Sequence, residues 1–174
     1  STPYNSDGSL NTGCGMFGVN PLYELQHSSD KSIVKRSFST AQLTYNIWDN
    51  LKLSEKLAYD YTDGRENVLW DRYSNNGSPG AVLQRAINEY EKLNTQTQLS
   101  YIKSFGLHNV DALLGFETED YTYRYDSSHG SDYPGDLYEI ENAGTTSAQS
   151  DRKAYRMTSF LGRVNYNFAN RYYL

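Results

Sequence analysis

The sequence predicts an all-β fold: an antiparallel meander of long hairpins, read as the partial wall of a transmembrane β-barrel with long outer loops. Three observations point there. Apolar residues recur with period two in several segments, breaker residues fall mostly between those segments, and short turns alternate with long connections. The 174 residues suit about one domain. With 17 Tyr, 6 Phe and 2 Trp the chain is too aromatic to be mainly disordered. No apolar run approaches the roughly 20 residues of a membrane helix. A net charge of -5 is the wrong sign for a nucleic-acid footprint, so no nucleic acid is expected as a partner. The lone Cys14 has no cysteine with which to close an internal disulfide.

The elements follow in order. Residues 1–30 read mostly as an outer loop. A hairpin over 31–61 places Ala41, Leu43, Tyr45 and Ile47 on one face, and Leu51, Leu53, Leu57, Tyr59 and Tyr61 on the matching face of the return strand. Only Glu55 breaks that stripe, and Trp48-Asp49-Asn50 makes the turn. After an outer loop over 62–88, a hairpin over 89–125 pairs Leu93, Thr95, Thr97, Leu99 and Tyr101 with Val110, Ala112, Leu114 and Phe116 about a turn at Ser104-Phe105-Gly106. An acidic outer loop over 126–151 leads to the start of a third hairpin over 152–174. There Phe160, Val164, Tyr166 and Phe168 share a face opposite Arg163, Asn165 and Asn167, and Ala169-Asn170 makes the turn.

Short turns on one side and long connections on the other are the pattern of outer-membrane barrels. Tyr45, Trp48, Tyr101, Phe105, Tyr166 and Phe168 lie at the short-turn ends, where an interfacial aromatic girdle sits. Aromatics also favour strands in ordinary sheets. Alternation alone leaves open whether the apolar face meets lipid or a protein core, so a soluble β-sheet or sandwich module binding carbohydrate through loop aromatics stands as the alternative.

Ser159 to Leu174, SFLGRVNYNFANRYYL, resembles a barrel segment of SusC/RagA-type TonB-dependent transporters. LNTQTQLSYIKSFGLHNVDALLGF, from Leu93 to Phe116, is similar to the preceding hairpin of that family, and Asn20-Pro21-Leu22 ahead of the strand beginning near Lys31 is similar too. The likeness covers about Asn20 to Leu174. It implies an internal fragment of an outer-membrane barrel that imports oligosaccharides or peptides. It also implies a lipid bilayer around the wall, with a SusD-like surface lipoprotein and TonB as partners of the full-length parent. On this reading the chain is no enzyme, needs no cofactor, and supplies about five strands and the start of a sixth.

Candidate chemistry is sparse. Trp70, Tyr73, Tyr133 and Tyr138 fall in the expected outer loops, and flat amphipathic rings stack on sugars or anchor a protein. They are the ligand-binding candidates, with packing of the loops on one another as the competing role. Arg163, Asn165 and Asn167 are the lumen-facing candidates. Asp126, Asp132, Asp136, Glu139 and Glu141 make an acidic stretch without EF-hand spacing, and the solvated loop is the plainer reading. His27, His108 and His129 are too scattered for a metal triad and are expected at the surface. The run Gly13-Cys14-Gly15 and Gly18 lacks the lysine and flanking elements of a phosphate loop. No catalytic or metal residue is expected.

Overall fold

The computed structural model describes residues 2–13 and 18–174; Cys14 and Gly15 of the glycine-rich run lie outside the described residues. In chain order come helix α1 (Pro21–His27), strands β1 (Ser28–Trp48), β2 (Leu51–Trp70), β3 (Val82–Phe105) and β4 (His108–Ser131), a short 3-10 turn (Ile140–Asn142), and strands β5 (Thr145–Phe168) and β6 (Tyr172–Tyr173). The six strands form one sheet in sequence order. The expected antiparallel meander is therefore what the chain adopts.

The three short turns fall close to where the breakers place them. Asp49 and Asn50 join β1 to β2, and Gly106 joins β3 to β4 with Leu107, taking a φ of 62° that costs a glycine little. After β5, Ala169 and Asn170 both adopt positive φ, while the Asn167 carboxamide oxygen accepts the Asn170 backbone N–H at 2.9 Å. Phe168 then pairs with Tyr172.

The strands run further than period-two alternation indicates. β2 continues to Trp70 and β3 begins at Val82, so the connection expected over 62–88 shrinks to 71–81. Likewise β4 continues to Ser131 and β5 begins at Thr145, so the loop expected over 126–151 shrinks to 132–144. The strand ends there, such as Asp63-Gly64-Arg65-Glu66-Asn67, are polar on both faces. Backbone pairing persists in them while the side-chain period disappears. Residues 1–30 are not loop throughout: α1 lies among them and β1 starts at Ser28.

Contacts divide the chain into two compact units, the first Ser1–Lys35, Asp63–Glu89 and Arg124–Arg152, the second Arg36–Thr62, Tyr90–Tyr123 and Lys153–Leu174. The first unit holds a buried apolar cluster of Ala81, Leu83 and Tyr133, with Leu69, Tyr138, Ile140 and Ala143 packed against it. Loop 132–144 thus closes over the ends of β2 and β3. The Tyr133 N–H donates to Gly80 O at 2.7 Å, and Arg72 and Arg85 pair with Asp136 and Glu139 at 3.2 and 2.8 Å.

Helix α1 begins with an asparagine cap followed by proline, which favours a first helical turn. The Asn20 side chain is almost wholly buried: its amide donates to Pro3 O and Asn11 O, and its oxygen accepts the Leu22 N–H. Glu24 then reaches the 71–81 loop, accepting the Ser74 hydroxyl at 2.7 Å and the Asn75 backbone and amide N–H groups at 3.0 and 2.9 Å. His27 Nδ1 meets Asp71 Oδ2 at 2.7 Å.

Candidate functional site

Successive side chains on a strand point to opposite faces, so cross-strand contacts reveal which stripes share a face. In the second unit Glu55 meets Thr97, Tyr59 meets Glu91, Thr95 meets Thr118, Phe116 meets Phe160 and His108 meets Tyr166. Gln42 of β1 meets Ser54 of β2 on the opposite side, so these contacts place every apolar stripe read from the sequence on one face. Ala41, Leu43, Tyr45 and Ile47 of β1 share it with their counterparts on β2 to β5. That face is open: Phe160 is 79% exposed and Leu43 73%. The sheet is single, and among the described residues no second layer covers the stripe. A compact sandwich would bury these groups, each worth about 1.5–3 kcal/mol removed from water.

Charges bound the apolar face in rows. Lys35 on β1, Glu91 on β3, Asp120 on β4 and Arg156 on β5 mark one margin, with Arg156 and Asp120 in a two-pronged ion pair. Toward the short turns Lys103 and the aromatic set Tyr45, Tyr101, Phe105, Tyr166 and Phe168 mark the other. His108 joins that set, hydrogen-bonded to Tyr166 Oη at 2.6 Å with its ring 5.0 Å from Phe168. Between the margins this face of β3, β4 and β5 carries no ionisable acid or base; on β2 it carries Glu55, whose carboxylate accepts the Thr97 hydroxyl at 2.5 Å. The stretch of β3 from Glu91 to Lys103 measures about 40 Å at about 3.3 Å per residue, or about 28 Å across a layer when tilted about 45°.

The opposite face is polar and cross-braced. Arg36 forks onto Asp60, Lys92 pairs with Glu119 at 2.7 Å, and Glu119 also accepts the Tyr155 hydroxyl. Arg163 lies here, 3.5 Å from Asp111. Asn165 shares the face, and Asn167 shapes the final turn through its bonds with Asn170. Ring pairs Tyr90–Tyr123 and Tyr121–Tyr155 add an aromatic patch, with centroids 4.8 and 4.9 Å apart. Sequence reading missed this patch, although the alternate tyrosines of Tyr121-Thr122-Tyr123-Arg124-Tyr125 carry the signal.

The four loop aromatics part company. Tyr133 is 4% exposed in the core of the first unit, edge-on to Tyr138 at 5.4 Å, and burial pushes its hydroxyl pKa up. Tyr73 is 61% exposed and contacts the His27 ring, while Trp70 closes β2 half-buried. Three carboxylates of the acidic stretch are tied within the fold, Asp136 and Glu139 to arginines and Asp132 to the Thr145 hydroxyl. His27 and His108 are half-buried and bonded rather than plain surface groups. For Glu24, burial raises the carboxyl pKa, but the Asn75 N–H, the Ser74 hydroxyl and the Asn75 amide outweigh it and hold the group below the ordinary range.

Comparison with known proteins gives a consistent answer. No family model matches the chain. It is 26% identical over 159 residues to the TonB-dependent receptor SusC of Bacteroides thetaiotaomicron, covering 88% of this chain and 15% of SusC. Its fold matches part of the RagAB peptide transporter structure with a TM-score of 0.84, at 18% identity over 98% of this chain and 20% of that one. The RagAB peptide importer in its open-open state gives 0.83 over 98% of this chain and 20% of that one, also at 18% identity. The chain therefore spans between a seventh and a fifth of the length of these relatives. The SusC/RagA-type resemblance read from the sequence is borne out in both sequence and fold.

Proposed function

We propose that this chain, a stretch of SusC/RagA-type TonB-dependent transporter barrel, acts as outer-membrane wall in a nutrient importer. Its apolar face meets lipid and its polar face lines the import path. The observation that carries this reading is the open apolar band between charged rows. Its height of about 28 Å suits the roughly 25 Å hydrocarbon layer of an outer-membrane barrel. The aromatic set at the short-turn margin suits an interfacial girdle, and Lys35, Glu91 and the Asp120–Arg156 pair suit the headgroup level on the other side.

On this reading the wall carries out no chemistry. It holds a dry exterior against a wet interior, and Arg163, Asn165 and Asn167 are its lumen-facing groups. The imported compound is an oligosaccharide or a peptide. A SusD-like lipoprotein and TonB act on the whole transporter. Exposed Tyr73 and half-buried Trp70 are the loop aromatics best placed to meet cargo or lipoprotein, with Tyr138 beside the core and Tyr133 within it.

The test uses the full transporter reconstituted in phospholipid vesicles. In a cysteine-free background, with Cys14→Ser in this stretch, single cysteines replace Leu43, Leu114, Phe160, Arg163 or Asn165 and carry a fluorophore quenched by brominated acyl chains. Strong quenching at the first three positions and none at the last two is expected. Quenching of neither set, or of the polar set, would overturn the proposal.

A further inference from the structure

One register runs along β4 and β5: the Ala169 N–H donates to Leu107 O, Phe160 meets Phe116, Tyr155 stacks on Tyr121 and Arg156 forks onto Asp120. Continued toward the long connections, it sets Arg152 opposite Arg124 and Ser150 opposite Asp126. A recess of about 180 Å³ opens among these four and Asp151. We propose that the two arginines grip a phosphoryl group of a glycolipid in the surrounding outer leaflet, of the lipopolysaccharide class. The inference rests on the lipid-facing wall and goes beyond it by naming the lipid that the wall selects.

Like charges directly opposite across a strand pair are destabilising, and an anion lodged between them relieves the repulsion. Neither Arg124 nor Arg152 has an acidic partner within salt-bridge distance among the described residues. Arg65 and Arg85 on the same face, by contrast, are held by Asp63 and Glu139. Both unpartnered arginines are exposed, and strand alternation puts them on the side of the apolar stripe. Asp126 offsets one of the two charges and leaves the group net positive, while Asp151 has the opposite parity and points to the polar face. Two guanidinium forks lining one small volume suit a phosphoryl group, which accepts bidentate hydrogen bonds from each.

Height selects the lipid. Arg124 follows Asp120 by four residues, about 13 Å at about 3.3 Å per residue, or about 9 Å across a layer when tilted about 45°. The Asp120–Arg156 pair itself marks the margin of the apolar band. The headgroup region of a phospholipid adds only about 5–8 Å to the hydrocarbon on each side. A glycerophosphate therefore ends below the arginine pair, whereas a phosphate carried on sugars above the acyl chains reaches it. Long connections lie on the external side of an outer-membrane barrel, so this is the side on which the lipid stands.

The experiment takes the full transporter in detergent micelles and titrates it, with native mass spectrometry as readout, against three lipids. These are rough-type lipopolysaccharide, the same lipid stripped of phosphate by hydrofluoric acid, and phosphatidylglycerol. Heat-dependent gel mobility confirms that every variant is folded. The phosphorylated glycolipid is expected to bind, about tenfold or more weakly after Arg124→Gln or Arg152→Gln. Lys103→Gln at the opposite margin and an excess of inorganic phosphate are expected to change nothing. Absence of that binding overturns the proposal, as does equal binding of the dephosphorylated lipid or binding that ignores both arginines. Phosphatidylglycerol held as tightly through the arginines, or displacement by inorganic phosphate, overturns it as well, by putting an ordinary phospholipid or a free anion at the site. Lipid quenching at Leu43, Leu114 and Phe160, read on the same preparation moved into vesicles, separates failure of this inference from failure of the importer reading.

Discussion

The two units treat greasy side chains in opposite ways. The first encloses Ala81, Leu83 and Tyr133 and ties a loop over them with Arg72–Asp136 and Arg85–Glu139. The second leaves Leu43, Leu114, Phe160 and Val164 in the open and keeps its ion pairs along charged rows and on the polar face. The first is stabilised as a water-exposed globule is, by burial. The second gains from its apolar face only in a medium that is itself apolar, because its strands form a single layer. β1 to β5 each contribute residues to both units, so composition along one strand decides which rule applies.

Substitutions sharpen that contrast. Leu83→Ala removes a fully buried side chain and should cost about 2–5 kcal/mol of local stability in the first unit. The readout is faster protease cleavage within 132–144 of the full transporter, while the heat-dependent gel shift of the barrel stays unchanged. A loss of that shift would mean that the two units do not unfold separately. Leu114→Arg places a cation midway between the charged margins of β4 and should cost about 2–4 kcal/mol in urea unfolding from vesicles. A neutral result there would show that the face does not meet hydrocarbon.

A smaller effect is expected at the Glu24 clasp. Its folded pKa is depressed, so its contribution is present above the ordinary glutamate pKa of about 4.3 and is lost as pH falls through the lower folded value. The protection factor of the Asn75 amide against hydrogen exchange should fall on acidification through that window, and Glu24→Gln should remove most of the pH dependence. The least effect belongs to the Asp120–Arg156 pair. Both groups are exposed, and the double substitution Asp120→Asn/Arg156→Gln should leave urea unfolding unchanged within error.

Much of the second unit is legible in the sequence because one face is apolar and the other polar, so each strand announces its period. Leu51 to Tyr61 and Val110 to Phe116 are read with the side-chain faces the structure adopts, and the short turns fall within a residue or two. The first unit is less legible. Polar residues on both faces of 62–70 and 126–131 hide strands that backbone pairing maintains. The helix at Pro21–His27 is not read from the sequence: it opens on an Asn20 cap and Pro21, but seven residues carry too little periodicity to stand out from a loop. Tyr133 is a different case: an aromatic in a loop reads alike whether it greets a ligand or plugs a core, and only the partners Leu83 and Tyr138 decide. An open recess on the polar face of the first unit, lined by Glu66, Gln84, Tyr125 and Gln149 among others, gathers residues from four strands, which no linear spacing reveals.

Glu55 carries a consequence of its own. Its carboxylate, held by the Thr97 hydroxyl, sits within an otherwise uncharged strip. A carboxylate bearing charge amid oil is costly, and one hydroxyl satisfies only part of its demand for solvent. If this strip faces lipid, as proposed, the bilayer beside β2 would have to thin, admit water, yield to a neighbouring molecule or meet a neutral carboxyl at that spot.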